Sequence, residues 1–503
     1  MDLQALVDGG SLYIDGRWEA GEGEPFDVVN PTTEEVLATV PSAGAGQVDA
    51  AVASARRAFD GGVWSAHGPA ERAALLRRIV KAIEDNFDDL VDTVVREVGT
   101  PIMLARALQV AGPVLNLGWY ASAAERGPRG GYEEGLPLDY VPVASASLLK
   151  REPIGVVAAI PAFNYPLNLA SWKAGGALAS GCSTVLYPSP RGTLSTIHFL
   201  RVLEEADLPP GALNLVVGGA DVGTRLTTAP GVDMVSFTGS AKVGSMVMAQ
   251  ASATLKKVVL ELGGKSPNIL LPGADIDVSL APSILRFARN AGQGCGATTR
   301  ILVHRSQFDE FMAKATPFVE SLEVGDPMSP DTVIGPLIDG GHREWVERML
   351  ADAVADGATI AAGGGRPDIE RGWFLNPALV VGAPNEAPVC QEELFAPVGA
   401  VIPYDTVDEA VAVANASRYN LNANVYGEPG EAMAVANRLR TGTVQVNGGG
   451  GMRPDAPWGG SGFSGVGREM GEDGFAEFFV VRHIQWPLGA PAAPQGTARS
   501  GDD

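Results

Sequence analysis

Apolar side chains recur every three or four positions across 47–60 and 69–97, the spacing that turns one helix face toward a core, so both segments are predicted helices. Pro69 suits a first helical turn, where its missing N–H costs nothing, and Gly99-Thr100-Pro101 suits a stop. From about residue 153 the pattern changes to short apolar runs, at 155–160, 183–186, 213–217, 234–237 and 257–260, separated by stretches with helical spacing. Short continuous runs predict strands buried on both faces, and their alternation with helices predicts a parallel sheet covered by helices. A second series follows, with 266–271, 299–303 and 378–381 as predicted strands. Two α/β units are expected.

Composition narrows the function classes. At roughly 150 residues per domain, 503 residues suggest about three units, and no repeat points to a solenoid or propeller. The formal net charge of −22 repels phosphate backbones and anionic headgroups, so neither nucleic acid nor a membrane surface is an expected partner. No run approaches the ~18 uninterrupted apolar residues of a membrane helix, and no basic-then-apolar leader opens the chain, so a cytoplasmic location is expected. Three cysteines, 182, 295 and 390, are too few for a disulfide framework. The five histidines show no ligand spacing and no Cys-x-x-Cys exists, so no metal is expected. Residues 487–503 are small, polar and rich in Pro and Gly, and 491–503 are expected to form a disordered tail.

Four short segments could carry chemistry. In Gln293-Gly294-Cys295-Gly296 the glycines leave space around the sulfur and let backbone N–H groups approach a ligand, whereas an inert cysteine is usually packed among apolar side chains. Glu261 ends the apolar run Val258-Val259-Leu260 before Gly263-Gly264, at a strand end where a partly desolvated carboxylate makes a general base. A solvated strand-end Glu is the plain alternative. Asn164, in Pro161-Ala162-Phe163-Asn164-Tyr165-Pro166, offers an amide donor for an oxyanion, or is simply a turn residue beside proline. Phe237-Thr238-Gly239-Ser240 reads as strand, turn and helix start, a natural phosphate site that lacks the full Gly-x-Gly-x-x-Gly spacing.

Together and in this order, these segments resemble the aldehyde dehydrogenase superfamily, from about residue 10 to about 485. Ser171-Trp172-Lys173, Glu392-Glu393-Leu394-Phe395-Ala396-Pro397-Val398, Val446-Asn447 and Gly465-Val466-Gly467-Arg468-Glu469 add to the match. The resemblance implies an α/β fold of two doubly wound parallel-sheet domains plus a small β oligomerisation extension. Residues 1–130 and 153–262 would form the dinucleotide-binding domain, 263–465 the catalytic domain, and 131–152 with 477–490 the strands that join subunits of a homodimer or homotetramer. It implies oxidation of a small-molecule aldehyde to the acid through a thioester on Cys295, with Glu261 as base and the Asn164 amide with the Cys295 N–H as oxyanion hole. NAD, or NADP, is expected against Ile160, Pro161, Phe163, Lys173, Tyr187, Ser189, Gly219, Gly223, Phe237, Thr238, Gly239, Ser240, Val243, Leu262 and Gly263, with Glu393 and Phe395 at the nicotinamide ribose and ring. By family position, Phe163, Trp119, Leu117 and the 448–452 loop would line a tunnel for an apolar or aromatic aldehyde.

Departures bear on the cofactor. Most members hold the adenosine ribose with a lysine and a glutamate, and here Tyr187 and Pro190 stand at those positions. Losing the carboxylate lessens repulsion of a 2′-phosphate, which Arg191 could pair, although NAD stays ahead of NADP. Gly462 stands where many members have lysine. A CoA-acylating enzyme is one alternative, and Glu261 argues against it. A silent binding protein of the same fold and an unrelated cysteine hydrolase are the others.

Overall fold

The predicted strands fall into two sheets in a computed structural model that describes residues 2–450 and 452–489. The first sheet has eight strands, in the order Gly465–Val466, Lys257–Glu261, Met234–Thr238, Val156–Ile160, Ser183–Leu186, Leu213–Leu215, Leu12–Ile14 and Arg17–Glu19. The five from Lys257–Glu261 to Leu213–Leu215 run parallel and are almost wholly buried, which is why their sequences are continuously apolar. Successive strands first build outward on one side of Val156–Ile160 and then on the other. The winding therefore reverses between Val156–Ile160 and Met234–Thr238, and a crevice opens beyond their C-terminal ends.

The second sheet has seven strands, in the order Thr359–Ala362, Ala378–Val381, Val398–Tyr404, Arg300–His304, Pro267–Leu270, Asn422–Tyr426 and Thr443–Val446. All are parallel except Thr359–Ala362. A third sheet pairs Phe479–Pro487 with Ser145–Pro153 over nine residues, and Ser145–Pro153 with Glu133–Gly135. Among the described residues the outer edge of Phe479–Pro487 is unpaired, and the strand carries exposed Val481 and Trp486.

Two readings from the sequence are corrected. The predicted helix over 69–97 is two helices, Pro69–Asp85 and Phe87–Val98, because Asn86 leaves helical geometry at φ −107° and ψ 20°. Both halves face one core, so their apolar periodicity runs on across the break. Gly465, expected to close the unit at 263–465, forms with Val466 a short strand that crosses back to the first sheet and pairs with Leu260 and Glu261. That return brings Arg468 and Glu469 beside Glu261. The expected tail at 491–503 lies outside the described residues. Among the described residues no helix is long and apolar enough to cross a membrane.

Candidate active site

A cavity of about 630 Å³ lies at the C-terminal ends of the first sheet's strands and is closed by Cys295, Ile338, His342, Glu393 and Phe395 from the second unit. Its size is that of a cofactor-sized cleft. The turns after Val156–Ile160 and Met234–Thr238 supply Pro161, Phe163, Asn164, Gly239, Ser240 and Val243, and the end of Lys257–Glu261 supplies Glu261, Leu262 and Gly263.

Cys295 follows a backbone turn that few sequences adopt. Asn290, Ala291 and Gly292 have φ of 54°, 51° and 70°, and a left-handed non-glycine residue costs about 1–2 kcal/mol. A side chain at Gly292 would put its Cβ 2.0 Å from the Ala396 carbonyl oxygen. Buried hydrogen bonds hold the turn: Thr100 Oγ1 donates to Asn290 Oδ1 at 2.8 Å, and Asn290 Nδ2 donates to the carbonyls of Asn164 and Gln293. Burial, and then the charges of Glu393 and Glu261, push the Cys295 thiol up to about 12, against the pull of the Gly296 and Cys295 backbone N–H groups. The sulfur is therefore a protonated thiol at neutral pH and needs a base.

Asn164 is fixed from both sides. Its carbonyl accepts from Gln109 Nε2 at 2.9 Å, and its own Nδ2 donates to the Gln293 carbonyl at 3.0 Å, two residues before the sulfur. One amide N–H is left for the cavity, while Oδ1 has no partner. Asn164→Ala removes that N–H and is expected to lower kcat by about 10²–10³-fold. Steady-state assays with KM and a thermal melt alongside check that the loss lies in kcat.

Glu261 is buried with both carboxylate oxygens free of hydrogen bonds. Burial and the neighbouring Glu469 raise its pKa well above the usual carboxylate range, and Lys173 and Arg468 pull the other way. Its carboxylate lies against Gly459, where any Cβ would stand 2.5 Å from Oε1. Behind it, fully buried Lys173 Nζ donates to Glu469 Oε1 at 2.6 Å and to Ser236 Oγ at 3.1 Å. Lys173→Met is expected to destabilise the fold by ~3–5 kcal/mol, since Glu469 is left buried and unpaired. It also removes a cation that favours the charged form of Glu261. The acidic limb of the kcat profile should therefore move to higher pH, a shift read from rates across pH beside urea unfolding.

Fifteen of the expected cofactor positions line this cavity: Ile160, Pro161, Phe163, Tyr187, Ser189, Gly223, Phe237, Thr238, Gly239, Ser240, Val243, Leu262, Gly263, Glu393 and Phe395. Lys173 does not, because its ammonium is spent on Glu469 behind the wall. Gly219 lines a neighbouring cavity of about 530 Å³, and its carbonyl accepts the Tyr187 hydroxyl at 2.6 Å. Leu117 is buried in the core, and Trp119 packs edge-on against Tyr120 and Phe475. Gly451 lies outside the described residues. Glu469, Gln293, Gln109 and His342 escaped the sequence reading. Glu469 belongs to a quoted motif, but it stands 296 residues from Lys173 and nothing local marks the pairing.

Glu393 accepts the Gly264 N–H at 2.9 Å, and burial, opposed by that bond and by Lys265, brings its pKa to about 7. His342 Nε2 lies 2.9 Å from the Phe395 carbonyl, so the proton belongs on Nε2, and burial holds the ring neutral. Phe395, at φ 49°, sets its ring edge-on to Phe163 at 5.9 Å. Among the described residues no group of three His, Cys, Asp or Glu side chains could hold a metal ion.

A half-buried thiol, a carboxylate free of hydrogen bonds and an amide donor gather around one cleft at the C-terminal ends of a parallel sheet. The aldehyde dehydrogenase family's sequence model matches residues 18–484. The 3-succinoylsemialdehyde-pyridine dehydrogenase of a Pseudomonas species is 39% identical over 478 residues, covering 94% of this chain and 98% of the relative. Geranial dehydrogenase of Castellaniella defragrans is 36% identical over 476 residues, with 94% and 98% covered. A crystal structure of betaine aldehyde dehydrogenase from Staphylococcus aureus in complex with NAD+ superposes with a TM-score of 0.93 at 34% identity, covering 99% of each chain. The chain belongs to the aldehyde dehydrogenase family and is an oxidoreductase.

Proposed function

We propose that this protein oxidises an aldehyde to its carboxylic acid with a nicotinamide dinucleotide, through a thioester on Cys295 that Glu261 hydrolyses. The observation that carries the reading is that Cys295, Glu261 and Asn164 border the same cavity as two strand-to-helix turns suited to a dinucleotide. The residues present fit that cofactor. Ser240 caps the helix Ala241–Ser252, whose first N–H groups suit a pyrophosphate, and Thr238 Oγ1 is buried without a partner. A Cβ at Gly263 would stand 1.9 Å from Glu393 Oε2, so glycine there keeps Glu393 at the wall for ribose hydroxyls.

At the adenosine end Tyr187 satisfies its own hydroxyl on the Gly218 and Gly219 carbonyls and lays its ring on Gly223, offering contact area and no charge. Arg191 is already paired with Asp339 at 2.5 Å, which favours NAD over NADP.

Glu261 removes the Cys295 proton, and the thiolate attacks the aldehyde carbon. The remaining Asn164 amide N–H and the Cys295 backbone N–H hold the oxyanion. A bound nicotinamide supplies acceptance of a hydride from that carbon. Phe163 and Phe395 narrow the wall there and exclude water. Glu261 passes the thiol proton on toward the neighbouring Glu469–Lys173–Ser236 cluster and, ionised again, deprotonates the water that hydrolyses the thioester.

Two copies meeting along the free edge of Phe479–Pro487 would cover its exposed apolar side chains, in keeping with a homodimer or homotetramer. The test is acid formation by purified protein from an aldehyde with NAD or NADP and no CoA. Product found only as acyl-CoA would favour the acylating alternative. No reaction by folded protein would favour a silent one.

A further inference from the structure

Arg191 reaches out of the first unit to a carboxylate of the second. It sits on the turn after Ser183–Leu186, the strand beside Val156–Ile160, where a doubly wound fold meets the 2′-hydroxyl of the adenosine ribose or a 2′-phosphate. The turn is held from both sides. Ser189 Oγ accepts the Arg191 N–H at 3.3 Å, and buried Glu97 accepts the N–H groups of Leu194 and Ser195, both at 2.7 Å. From there the guanidinium pairs with Asp339 at 2.5 Å, the carboxylate's one ion pair among the described residues.

That pair belongs to a closed circuit. Asp339 Oδ1 caps the helix Gly340–Ala355 by accepting the His342 N–H at 2.7 Å, and His342 Nε2 donates to the Phe395 carbonyl at 2.9 Å. The Phe395 ring meets Phe163 edge-on at 5.9 Å, and the Arg191 guanidinium carbon lies 5.8 Å from the centre of the Phe163 ring. The circuit crosses between the units at two points, one ion pair and one ring contact, and Phe163, Arg191, His342 and Phe395 all line the cofactor-sized cavity. Arg191 also lines the neighbouring cavity of about 530 Å³, together with Glu24, Asp27, Asp221 and Asp339. A phosphate arriving beside the guanidinium would meet four carboxylates and that one cation.

We propose that Asp339 sets the cofactor preference from the opposite unit, because its ion pair with Arg191 is a clasp across the cleft that NAD leaves intact and that withholds the guanidinium from a 2′-phosphate. The inference deepens the function proposed above and rests on it. One guanidinium cannot give the same N–H groups to a carboxylate and a phosphate, so NADP has to break the clasp and stand beside a carboxylate that has lost its partner. Asp339→Asn isolates the charge. Asparagine still offers an oxygen to cap the helix, so the His342 and Phe395 contacts survive while Arg191 is released.

The test is equilibrium binding of NADH and NADPH without aldehyde, by fluorescence titration, with NADH release rates by stopped flow. The proteins are wild type, Asp339→Asn, Arg191→Gln and the double variant, each with a thermal melt. Wild type should bind NADH at least about tenfold more tightly than NADPH. Asp339→Asn should tighten NADPH by roughly tenfold, a gain that fades as salt rises, and should speed NADH release by about threefold. Arg191→Gln should speed NADH release as much and gain nothing for NADPH. The double variant should match Arg191→Gln, because the second change then has no partner to act on. NADPH bound as tightly as NADH by wild type, an NADPH affinity unmoved in Asp339→Asn, or an equal gain in Arg191→Gln overturns the proposal. Binding of neither dinucleotide by folded wild type would overturn the parent reading as well, which separates the two failures.

Discussion

Cys295→Ala is expected to reduce aldehyde-dependent formation of reduced nicotinamide by at least ~10⁴-fold while leaving the protein folded. Both halves follow from where the sulfur sits. It is partly exposed to the cavity on a turn held by Thr100, Asn290 and Gln293, not packed in a core, so its removal opens no large void. Unfolding free energy should change by no more than about 1 kcal/mol. The other two cysteines provide the contrast. Cys182 is fully buried, with its thiol within 3.5 Å of the Phe478 carbonyl, and Cys390 is fully buried in the second core, so replacing either should act on stability. Absorbance of the reduced cofactor and a thermal melt on each variant separate chemistry from folding. Retained turnover in Cys295→Ala would remove the covalent mechanism altogether.

The central strands of the first sheet were legible because each is buried on both faces and must be apolar throughout. Asn422–Tyr426 was not, because Asn422 and Asn424 are poor strand signals. They are tolerated in the buried strand because Asn424 Nδ2 donates to Asn268 Oδ1, and Asn268 Nδ2 to Ser283 Oγ, both at 2.7 Å. Such a network exists only after three distant segments meet. The strands Leu12–Ile14 and Gly465–Val466 are too short to show a period.

The site divides in the same way. Cys295, Glu261 and Asn164 are marked locally, by flanking glycines or by following an apolar strand, and the fold brings them around one cavity. Lys173 was recognised through its motif and assigned to the cofactor, yet its partner Glu469 follows the short strand Gly465–Val466, which returns to the first sheet. A charged side chain in an otherwise buried helix, Pro166–Ser180, announces that a partner exists but not where it lies in the chain.

Glu261→Gln should separate the two halves of the reaction. Glutamine keeps the size of the side chain and cannot accept a proton, so hydrolysis of the thioester should fall by about 10²–10⁴-fold. The effect on the thiol runs the other way. The Glu261 charge is one of the causes that raise the Cys295 pKa, so its loss lowers that pKa and increases the thiolate present at a given alkaline pH. Rapid mixing at alkaline pH should therefore show a burst of reduced nicotinamide, about one per active site, followed by slow turnover. Intact-mass measurement should find the acyl group on the protein, and an added small thiol should restore turnover by thiolysis. The wild-type hydrolytic rate should rise with pH through the raised Glu261 pKa, because only the ionised carboxylate takes a proton from water. That acidic limb should be missing from deacylation in the variant. Loss of the burst together with turnover would confine Glu261 to activating the thiol, and an unchanged steady state would remove it from the mechanism.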